Sequence, residues 1–261
     1  MALKIEPFKQ CRNCPRFSLG GPKPGFYYLQ ENGYTVSVEC KCHKEWAAKR
    51  DLIYKCIEAH VDTEDTWESY RGNLSLDSVE KMKLMAKKPE VTIDGLMFYM
   101  YGHNGTQKTS MAKVLGTEII KAGYSVFMTD MKSILVNILD DYREKDESII
   151  SAKKRFINKI KTVDFLIIDE SFDREKCNVT SSRFEISYLD NFIRNRFETT
   201  HKSIMFISNT SPKDIESQGF GISLHDLVNR NIRSTTLTFK DNYDKSYVDP
   251  AELWSNKYGQ K

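Results

Sequence analysis

The spacing of apolar positions from residue 93 onwards alternates between short apolar runs and longer amphipathic stretches. Short runs bounded by polar residues predict strands, and apolar positions three or four apart predict helices. The predicted strands are 95–101, 124–128, 163–168, 203–208 and 235–239. The predicted helices are 108–122, 131–142, 149–161, 182–198 and 223–232. Because strands and helices alternate, this part of the chain is expected to form an α/β fold, a three-layer sandwich around a parallel sheet.

The residues before 93 follow a different pattern. Residues 26–39 alternate aromatic and polar positions around an Asn-Gly pair, which predicts a β-hairpin. A helix is predicted over 44–59, and the polar, acidic stretch 60–75 is interpreted as a linker. Asp77 then begins a helix with a capping-box-like pattern, and Pro89 is expected to end it after Lys88.

Length and charge limit the number of domains and the kinds of partner. The 261 residues, of which 40% are hydrophobic, suit one domain and a small module. We expect an N-terminal module over 1–60, a linker and helix over 61–90, and an α/β domain over 91–261. A formal charge of +3 excludes a histone-like or polybasic protein and leaves local DNA contact open.

The chain lacks the sequence signals of a membrane or secreted protein. No apolar run approaches the ~20 residues that span a bilayer. The segment 1–11 carries three charged residues and no apolar signal core. The expected location is therefore the cytoplasm, without a membrane partner, where cysteines serve more often as metal ligands or buried thiols than as disulfides.

A glycine-bearing loop follows the first predicted strand of the α/β domain. Its residues are Gly102, His103, Asn104, Gly105, Thr106, Gln107, Lys108, Thr109 and Ser110. A strand, such a loop, Lys-Thr and a helix form the context of a phosphate-binding P-loop, where backbone N–H groups and a helix N-terminus surround phosphates. Lys108 is then expected to reach the outer phosphates of ATP, and the Thr109 hydroxyl to bind Mg²⁺. An ordinary strand–turn–helix is the alternative interpretation.

One position departs from the P-loop signature, which has glycine directly before the lysine. Gln107 stands there instead. Glycine at this position allows close approach of the backbone and unusual torsions. The sequence leaves two outcomes open: Gln107 is tolerated if its backbone stays in an allowed region, or it weakens nucleotide binding.

Two acidic residues end the strand predicted around residue 165. Asp169 and Glu170 follow an apolar run, and Asp169 lies 61 residues after Lys108. This is the Walker B pattern, in which Asp169 holds Mg²⁺ through water and Glu170 polarises the attacking water. A buried strand with a polar end is the alternative, but the two motifs together favour a nucleotide site.

A polar residue also follows the strand 203–208. Ligands of open α/β sheets bind at the carboxyl ends of strands. Asn209 is therefore expected to orient the lytic water between the γ-phosphate and Glu170. The alternative is a turn-forming asparagine before Thr210-Ser211-Pro212.

Two arginines lie three residues apart at the end of the last predicted helix. Arg230 or Arg233 is suited to reach the γ-phosphate of a neighbouring subunit and stabilise the charge of the transition state. Arginines near a helix C-terminus also interact favourably with its dipole. The residues alone leave both interpretations open.

Taken in this order, the motifs resemble the AAA+ module of DnaC/DnaI-type replicative helicase loaders, to which the IstB transposition ATPases are close relatives. The resemblance covers about residues 90–240. It implies ATP and Mg²⁺ binding, slow ATP hydrolysis stimulated by DNA or a partner, and contact with single-stranded DNA. It also implies docking on a hexameric DnaB-type helicase and self-association in which Arg230 acts as an arginine finger in trans. Such loaders lack the helical lid of other AAA+ proteins, and the composition, rich in Lys, Asn and Ile, fits their phage-encoded members.

Two cysteine pairs mark the N-terminal module. Cys11 and Cys14 form one pair, and Cys40 and Cys42 form the other, with His43 as an alternative to Cys42. Four such ligands suit tetrahedral Zn²⁺, and a module this small needs a staple to hold its core. Free thiols or a disulfide are the alternatives. Loaders of the resembling family often carry a zinc-binding or helical element there, for helicase docking or DNA contact. The remaining cysteines, Cys56 and Cys177, are predicted to be ordinary thiols.

A basic cluster precedes the Walker B strand. It comprises Lys153, Lys154, Arg155, Lys159 and Lys161. A solvated helix face is the favoured interpretation, and a surface for single-stranded DNA is the alternative.

The leading functional hypothesis is ATP-dependent loading of a replicative helicase onto single-stranded DNA. One alternative is an IstB-like transposition ATPase acting on duplex DNA. Another is a nucleotide-gated adaptor with little turnover, because Gln107 departs from the P-loop signature.

Overall fold

A computed structural model describes residues 25–61, 65–68, 77–139, 146–177, 183–232 and 235–239. The chain divides into two compact units, Met1–Glu58 and Ala59–Lys261. The predicted site residues Cys11, Cys14 and Arg233 lie outside the described residues, as does the segment after Phe239 for which no lid was predicted. Most of the predicted linker 60–75 lies outside them too.

The first unit contains the predicted hairpin. Strands β1 (Phe26–Glu31) and β2 (Tyr34–Glu39) pair antiparallel, with Phe26 opposite Glu39. The two turn residues, Asn32 and Gly33, have φ angles of 52° and 81°. Positive φ at both positions is the requirement of the tight turn that matches the twist of a hairpin. Helix α1 (Lys41–Glu58) follows and begins three residues before the predicted start at 44.

The second unit is built on a five-stranded sheet. Its strands are β3 (Met97–Gly102), β4 (Val126–Asp130), β5 (Phe165–Asp169), β6 (Ser203–Ser208) and β7 (Thr236–Phe239). The strand order is β4-β5-β6-β3-β7, and every neighbouring pair is parallel. The predicted parallel α/β sheet is thus confirmed. This order places β3 beside β6 and brings the carboxyl ends of β3, β5 and β6 to one edge.

Helices precede and connect the strands of this sheet. They are α2 (Asp77–Lys87), α3 (Pro89–Thr92), α4 (Lys108–Lys121), α5 (Met131–Leu139), α6 (Glu147–Thr162), α7 (Arg174–Cys177), α8 (Arg183–Arg194) and α9 (Ile222–Asn231). Pro89 ends α2 as predicted, yet it also begins the short α3, because its fixed φ and missing N–H suit the first helical position. No helix among the described residues is long and apolar enough to cross a membrane.

The core lies against the sheet and fixes the ends of its central strands. All residues of β6 are buried, as expected for a strand covered on both faces. Phe172 is fully buried, and its ring lies 6.0 Å from Tyr99 and 4.9 Å from Phe206. Since Phe172 follows Glu170 by two residues, this packing anchors the backbone just after the Walker B acids.

The predicted helix 182–198 is not one regular α-helix. Helix α8 ends at Arg194, and Asn195–Thr199 forms a π-helical turn. Within it the guanidinium of Arg196 is 1% exposed and donates to the carbonyls of Ile160, Val163 and Ser203, at 2.8–2.9 Å. Burial lowers the pKa of Arg196 to about 10. These distant acceptors tie the end of α6 to the sheet, which periodicity along one helix does not reveal.

Candidate functional site

A cavity of about 240 Å³ opens where β3, β5 and β6 end, and we call it the strand-end cavity. Its lining combines the three motifs predicted from the sequence. The lining residues are Asn104, Gly105, Thr106, Gln107, Lys108, Thr109, Ser110, Asp169, Glu170, Lys176, Ile207, Ser208 and Asn209. The sheet order explains this convergence, because β3 and β5 both lie beside β6. Residues that are distant in sequence therefore meet there: Asn209 forms a hydrogen bond with Asn104, 105 positions earlier.

Strand β3 ends at a glycine that the neighbouring strand requires. Gly102 lies opposite Phe239 of β7, and a Cβ atom built on Gly102 would overlap the Phe239 carbonyl oxygen. The need for glycine is therefore steric. Gly105, further along the loop, has φ 80° and uses the left-handed region that glycine adopts without strain.

Gln107 adopts a backbone conformation that favours glycine. Its φ and ψ are 60° and 24°, in the left-handed region, and its side chain is buried. A residue with a Cβ atom costs about 1–2 kcal/mol in this region. The conformation of Gln107 therefore carries a conformational cost, and helix α4 begins directly after it.

Lys108 lies at the centre of the loop. Its Nζ atom donates to the carbonyls of Gly102 and His103 at 2.9 and 2.7 Å, and to Asn209 Oδ1 at 3.0 Å. The side chain is 7% exposed. Burial lowers the pKa of Lys108 to about 8, although the negative charge of Asp169 acts in the opposite direction. The cation is therefore held inside the predicted phosphate site.

The two predicted magnesium ligands meet across the cavity. The Thr109 hydroxyl, in the first turn of α4, donates to Asp169 Oδ2 at 2.8 Å. Hydroxyl and carboxylate oxygens are the hard ligands that Mg²⁺ prefers, and it commonly takes only one or two from the protein and keeps several waters. The pair therefore fits Mg²⁺. Neither residue belongs to a larger group of His, Cys, Asp or Glu side chains among the described residues.

Glu170 is bound by a partner that the sequence did not reveal. Its Oε1 atom accepts from Lys176 Nζ at 2.9 Å, and its side chain is 51% exposed. The hydrogen bond with Glu170 raises the pKa of Lys176. Lys176 belongs to α7, a single helical turn with no periodic pattern, so only the three-dimensional structure places it in the cavity.

Asn209 joins the end of β6 to the P-loop. Its Nδ2 atom donates to Asn104 Oδ1 at 2.7 Å, while its Oδ1 atom accepts from Lys108. Asn209 thus lines the cavity. Its role in orienting the water that attacks the γ-phosphate stays a prediction.

Arg230 lies outside the residues that line the strand-end cavity. It belongs to α9, its side chain is 64% exposed, and its Nη2 atom lies 3.4 Å from Glu198 Oε1. An exposed arginine outside its own site is what a finger acting in trans requires, but the contact with Glu198 also suits a simple role at a helix end. Both interpretations therefore stay open for Arg230.

The second cysteine pair lies at the start of α1 in the first unit. Cys40 is buried, and its Sγ atom accepts the backbone N–H of His43 at 3.3 Å. Cys40 directly precedes α1, so its thiol lies at the N-terminus of that helix. His43 Nδ1 lies 2.5 Å from Glu39 Oε1. A metal-binding histidine commonly engages a carboxylate through its other nitrogen, so this geometry keeps His43 in the ligand set beside Cys42.

The zinc prediction itself depends on residues outside the described ranges. Two of the four ligands, Cys11 and Cys14, lie there, and no group of three or more metal-binding side chains is found among the described residues. Both other cysteines, Cys56 and Cys177, are buried. Burial raises the pKa of Cys177 to about 12, which makes its thiol unreactive.

The basic cluster of α6 is not one uniform surface. Lys153 is buried, and Lys159 Nζ lies 4.6 Å from the ring centre of Phe127, a cation–π contact. Lys154 and Arg155 are exposed and line a shallow groove. Part of the cluster therefore serves packing, and the exposed part fits a solvated face.

Comparisons with known proteins agree with the architecture. No protein-family model matches the chain, and no curated protein matches it. Solved structures do match. A DnaC helicase loader has a TM-score of 0.53 and 17% identity, covering 68% of this chain and 98% of its own. AMPPCP-bound DnaA from Aquifex aeolicus has a TM-score of 0.54 and 18% identity, covering 77% and 57%.

This chain has the same α/β fold as these two structures. A third similar structure, DnaI, has a TM-score of 0.50 and 12% identity, covering 66% of this chain and 87% of its own. The chain spans half the length of a fourth, a DNA replication initiation factor, with a TM-score of 0.53 and 18% identity over 69% of this chain. At such identities the likeness is one of fold, and it confirms the α/β sandwich predicted from the alternation of strands and helices.

Proposed function

We propose that this protein is an ATPase that loads a hexameric DnaB-type replicative helicase onto single-stranded DNA during replication. The observation that carries the proposal is the convergence of Lys108, Thr109, Asp169, Glu170 and Asn209 on one cavity at the strand ends of the α/β fold. Two similar structures support a role in replication: one is a DnaC helicase loader, and another is a replication initiator DnaA bound to single-stranded DNA.

The first role of the cavity is to bind and orient ATP. Lys108 leaves its carbonyl acceptors to contact the outer phosphates, and the start of α4 adds its N–H groups. Thr109, and Asp169 through water, would hold Mg²⁺, which would neutralise phosphate charge. These contacts hold the γ-phosphate beside Glu170 and Asn209.

The second role is hydrolysis. Glu170 accepts a proton from the attacking water while the water oxygen bonds to the γ-phosphorus. The bond between that phosphorus and the bridging oxygen breaks, and ADP leaves with the electron pair. Asn209 orients the water, and Arg230 from a neighbouring copy supplies positive charge to the transition state. Because this arginine arrives only in an assembly, the isolated chain is expected to turn over slowly.

The first unit is proposed to hold one Zn²⁺ through Cys11, Cys14, Cys40 and either Cys42 or His43. Its partner is the helicase or the DNA. The working location is the cytoplasm, which is that of the host if the protein is phage-encoded.

Two aromatic rings pack around His43 at the start of α1. The ring centre of Phe26 lies 5.1 Å from that of His43, and the ring centre of Trp46 lies 5.5 Å from it.

A second candidate function is a nucleotide-gated adaptor that binds ATP with little turnover. Two observations favour it: the left-handed backbone of Gln107 and the ion pair that occupies Glu170. Turnover measured with single-stranded DNA and helicase, with Glu170→Gln as control, separates the two functions. Stimulated turnover that Glu170→Gln abolishes supports the ATPase, whereas turnover equal to that of Glu170→Gln supports the adaptor.

The partner is tested by recovery from the native host. The tagged protein, loaded with a non-hydrolysable ATP analogue, is expected to retain a hexameric replicative helicase, and Lys108→Ala is expected to retain less. Recovery of a transposase instead, with preference for duplex DNA, would support the IstB-like alternative.

A further inference from the structure

Glu170, the residue that the proposed hydrolysis step needs, forms an ion pair with Lys176. Glu170 Oε1 and Lys176 Nζ lie 2.9 Å apart, and both side chains line the strand-end cavity. The oxygen that accepts a hydrogen bond from Lys176 is not available to accept one from a water at the same time. The catalytic carboxylate is thus engaged in the structure.

The backbone that carries this pair is fixed on both sides. The Ser171 N–H donates to the Ile207 carbonyl at 2.8 Å, and the Ser208 hydroxyl donates to the Ser171 carbonyl. Asp173 Oδ1 accepts the backbone N–H of Lys176 at 3.1 Å. The partners of Lys176 can therefore change through rotation of its side chain, without a movement of the loop.

The charges of the cavity indicate what the new partner is. Two cations, Lys108 and Lys176, face two carboxylates, Asp169 and Glu170, so the four charges cancel. ATP with Mg²⁺ brings net negative charge. Lys108 and Lys176 line the same cavity, so both lie beside the position proposed for the phosphates. A terminal phosphate carries more negative charge than one carboxylate and competes with Glu170 for the ammonium.

We propose that Lys176 exchanges partners when ATP binds, leaving Glu170 for the terminal phosphate and thereby freeing Glu170 to act on water. The inference rests on the proposed nucleotide site. Lys176 is then a phosphate-binding residue and a positioning residue for Glu170. ADP lacks the terminal phosphate, so the ion pair persists with ADP, and the exchange distinguishes the two nucleotides.

Nucleotide affinities test the exchange without measuring hydrolysis. Lys176→Met is expected to weaken binding of a non-hydrolysable ATP analogue about tenfold, the size of one charge-assisted hydrogen bond, and of ADP by less than about threefold. Lys176→Arg keeps the charge and is expected to retain the preference for the ATP analogue. Lys121→Met serves as the matched control, since Lys121 forms a similar pair with Glu118 at 2.7 Å at the far end of α4. It should change neither affinity.

A double-mutant cycle adds a readout that a merely structural lysine would not move. Glu170→Gln removes the competing carboxylate, so it is expected to raise affinity for the ATP analogue about threefold or more. This gain should vanish in the Lys176→Met background. Circular dichroism confirms that each variant is folded.

Two results would overturn the exchange. One is equal binding of the ATP analogue by Lys176→Met and the parent; the other is a gain from Glu170→Gln that persists without Lys176. Lys108→Ala separates this failure from failure of the nucleotide site. If Lys108→Ala loses binding while Lys176→Met does not, only the exchange is wrong; if both bind normally, the proposed site is wrong.

Discussion

The two units of the chain differ in how their candidate sites are supported. In the second unit the site residues stand on buried strands: every residue of β6 is buried, and four of the five residues of β5 are. In the described part of the first unit, 25–58, only Gly25, Cys40 and Cys56 are buried. Tyr34 of its hairpin is 77% exposed. A sheet with a large apolar core holds its site in place, whereas a small module depends on what its site binds.

Removal of zinc should produce the largest difference between the units. The protein is expected to carry about one Zn²⁺ per chain, and Cys40→Ser should lose it and unfold the first unit, because metal binding supplies about 10 kcal/mol or more of folding energy in such modules. Cys177→Ser, at a buried thiol of the second unit, is the control and should keep the metal. Metal analysis and limited proteolysis measure both effects. Metal-free protein purified without chelators would contradict the zinc assignment.

Loss of Lys108 should separate the site from the fold in the second unit. Lys108→Ala is expected to weaken ATP binding about 100-fold or more, because the outer phosphates lose the only lysine of the P-loop. The sheet should remain folded, since the lysine bonds loop carbonyls rather than the core. Binding of fluorescent ATP and thermal unfolding provide the two readouts. Normal ATP binding by this variant would show that Lys108 does not hold the phosphates.

The arginine finger should appear only in an assembly. Arg230→Ala is expected to bind ATP normally. It should lose the stimulation of turnover by helicase and single-stranded DNA, an effect of about 10³-fold or more on the rate. Mixing Arg230→Ala with Glu170→Gln should restore some turnover, since intact sites form at mixed interfaces. If the mixture stays inactive while the parent is stimulated, Arg230 has only a role at its helix end.

The pH dependence of ATP binding should follow the ammonium of Lys108. Burial holds its pKa at about 8 in the structure, and phosphates favour the charged form, so ATP raises this pKa. Below pH 8 the lysine is charged with and without ATP, and affinity is unaffected by it. Above pH 8 binding takes up a proton, so affinity falls by up to about tenfold per pH unit. Calorimetry at about pH 9 in two buffers measures the proton uptake. An absence of proton uptake would contradict the assignment to Lys108.

The backbone of Gln107 should give the smallest effect. Gln107→Gly and Gln107→Ala both remove the side chain, but only glycine relieves the left-handed conformation. The glycine variant is therefore expected to be more stable than the alanine variant, by about 1 kcal/mol in free energy of unfolding. It should also bind ATP at least as tightly as the parent. Urea unfolding of the two variants measures the difference, and equal stabilities would show that the loop relaxes around an alanine.

The sequence predicted what depends on neighbours along the chain. Strand β6 lies at its predicted bounds, because its apolar run is bounded by polar residues on both sides. Strands β4 and β5 begin two residues later than predicted, at Val126 and Phe165, since pairing between strands sets their ends. The P-loop and Walker B patterns could be recognised because the chemistry of phosphate binding fixes their spacing, and the structure brings their residues to one cavity; their catalytic roles stay predictions.

What the sequence did not predict depends on distant contacts. Arg196 distorts the end of α8 because its acceptors come from α6 and the sheet. The reason for glycine at position 102 is the carbonyl of Phe239, 137 residues later. Lys176 reaches the cavity from a single helical turn that no pattern marks. Each of these features requires the positions of strands that are far apart in sequence.

The most direct test of the account is helicase loading itself. Purified hexameric replicative helicase of the native host is mixed with circular single-stranded DNA, ATP and this protein, and helicase bound to DNA is measured. We expect the parent protein to increase bound helicase, and Lys108→Ala to leave it at the level without loader. An equal amount of bound helicase with the parent, with Lys108→Ala and without either protein would contradict the proposal that this chain is an ATP-dependent helicase loader.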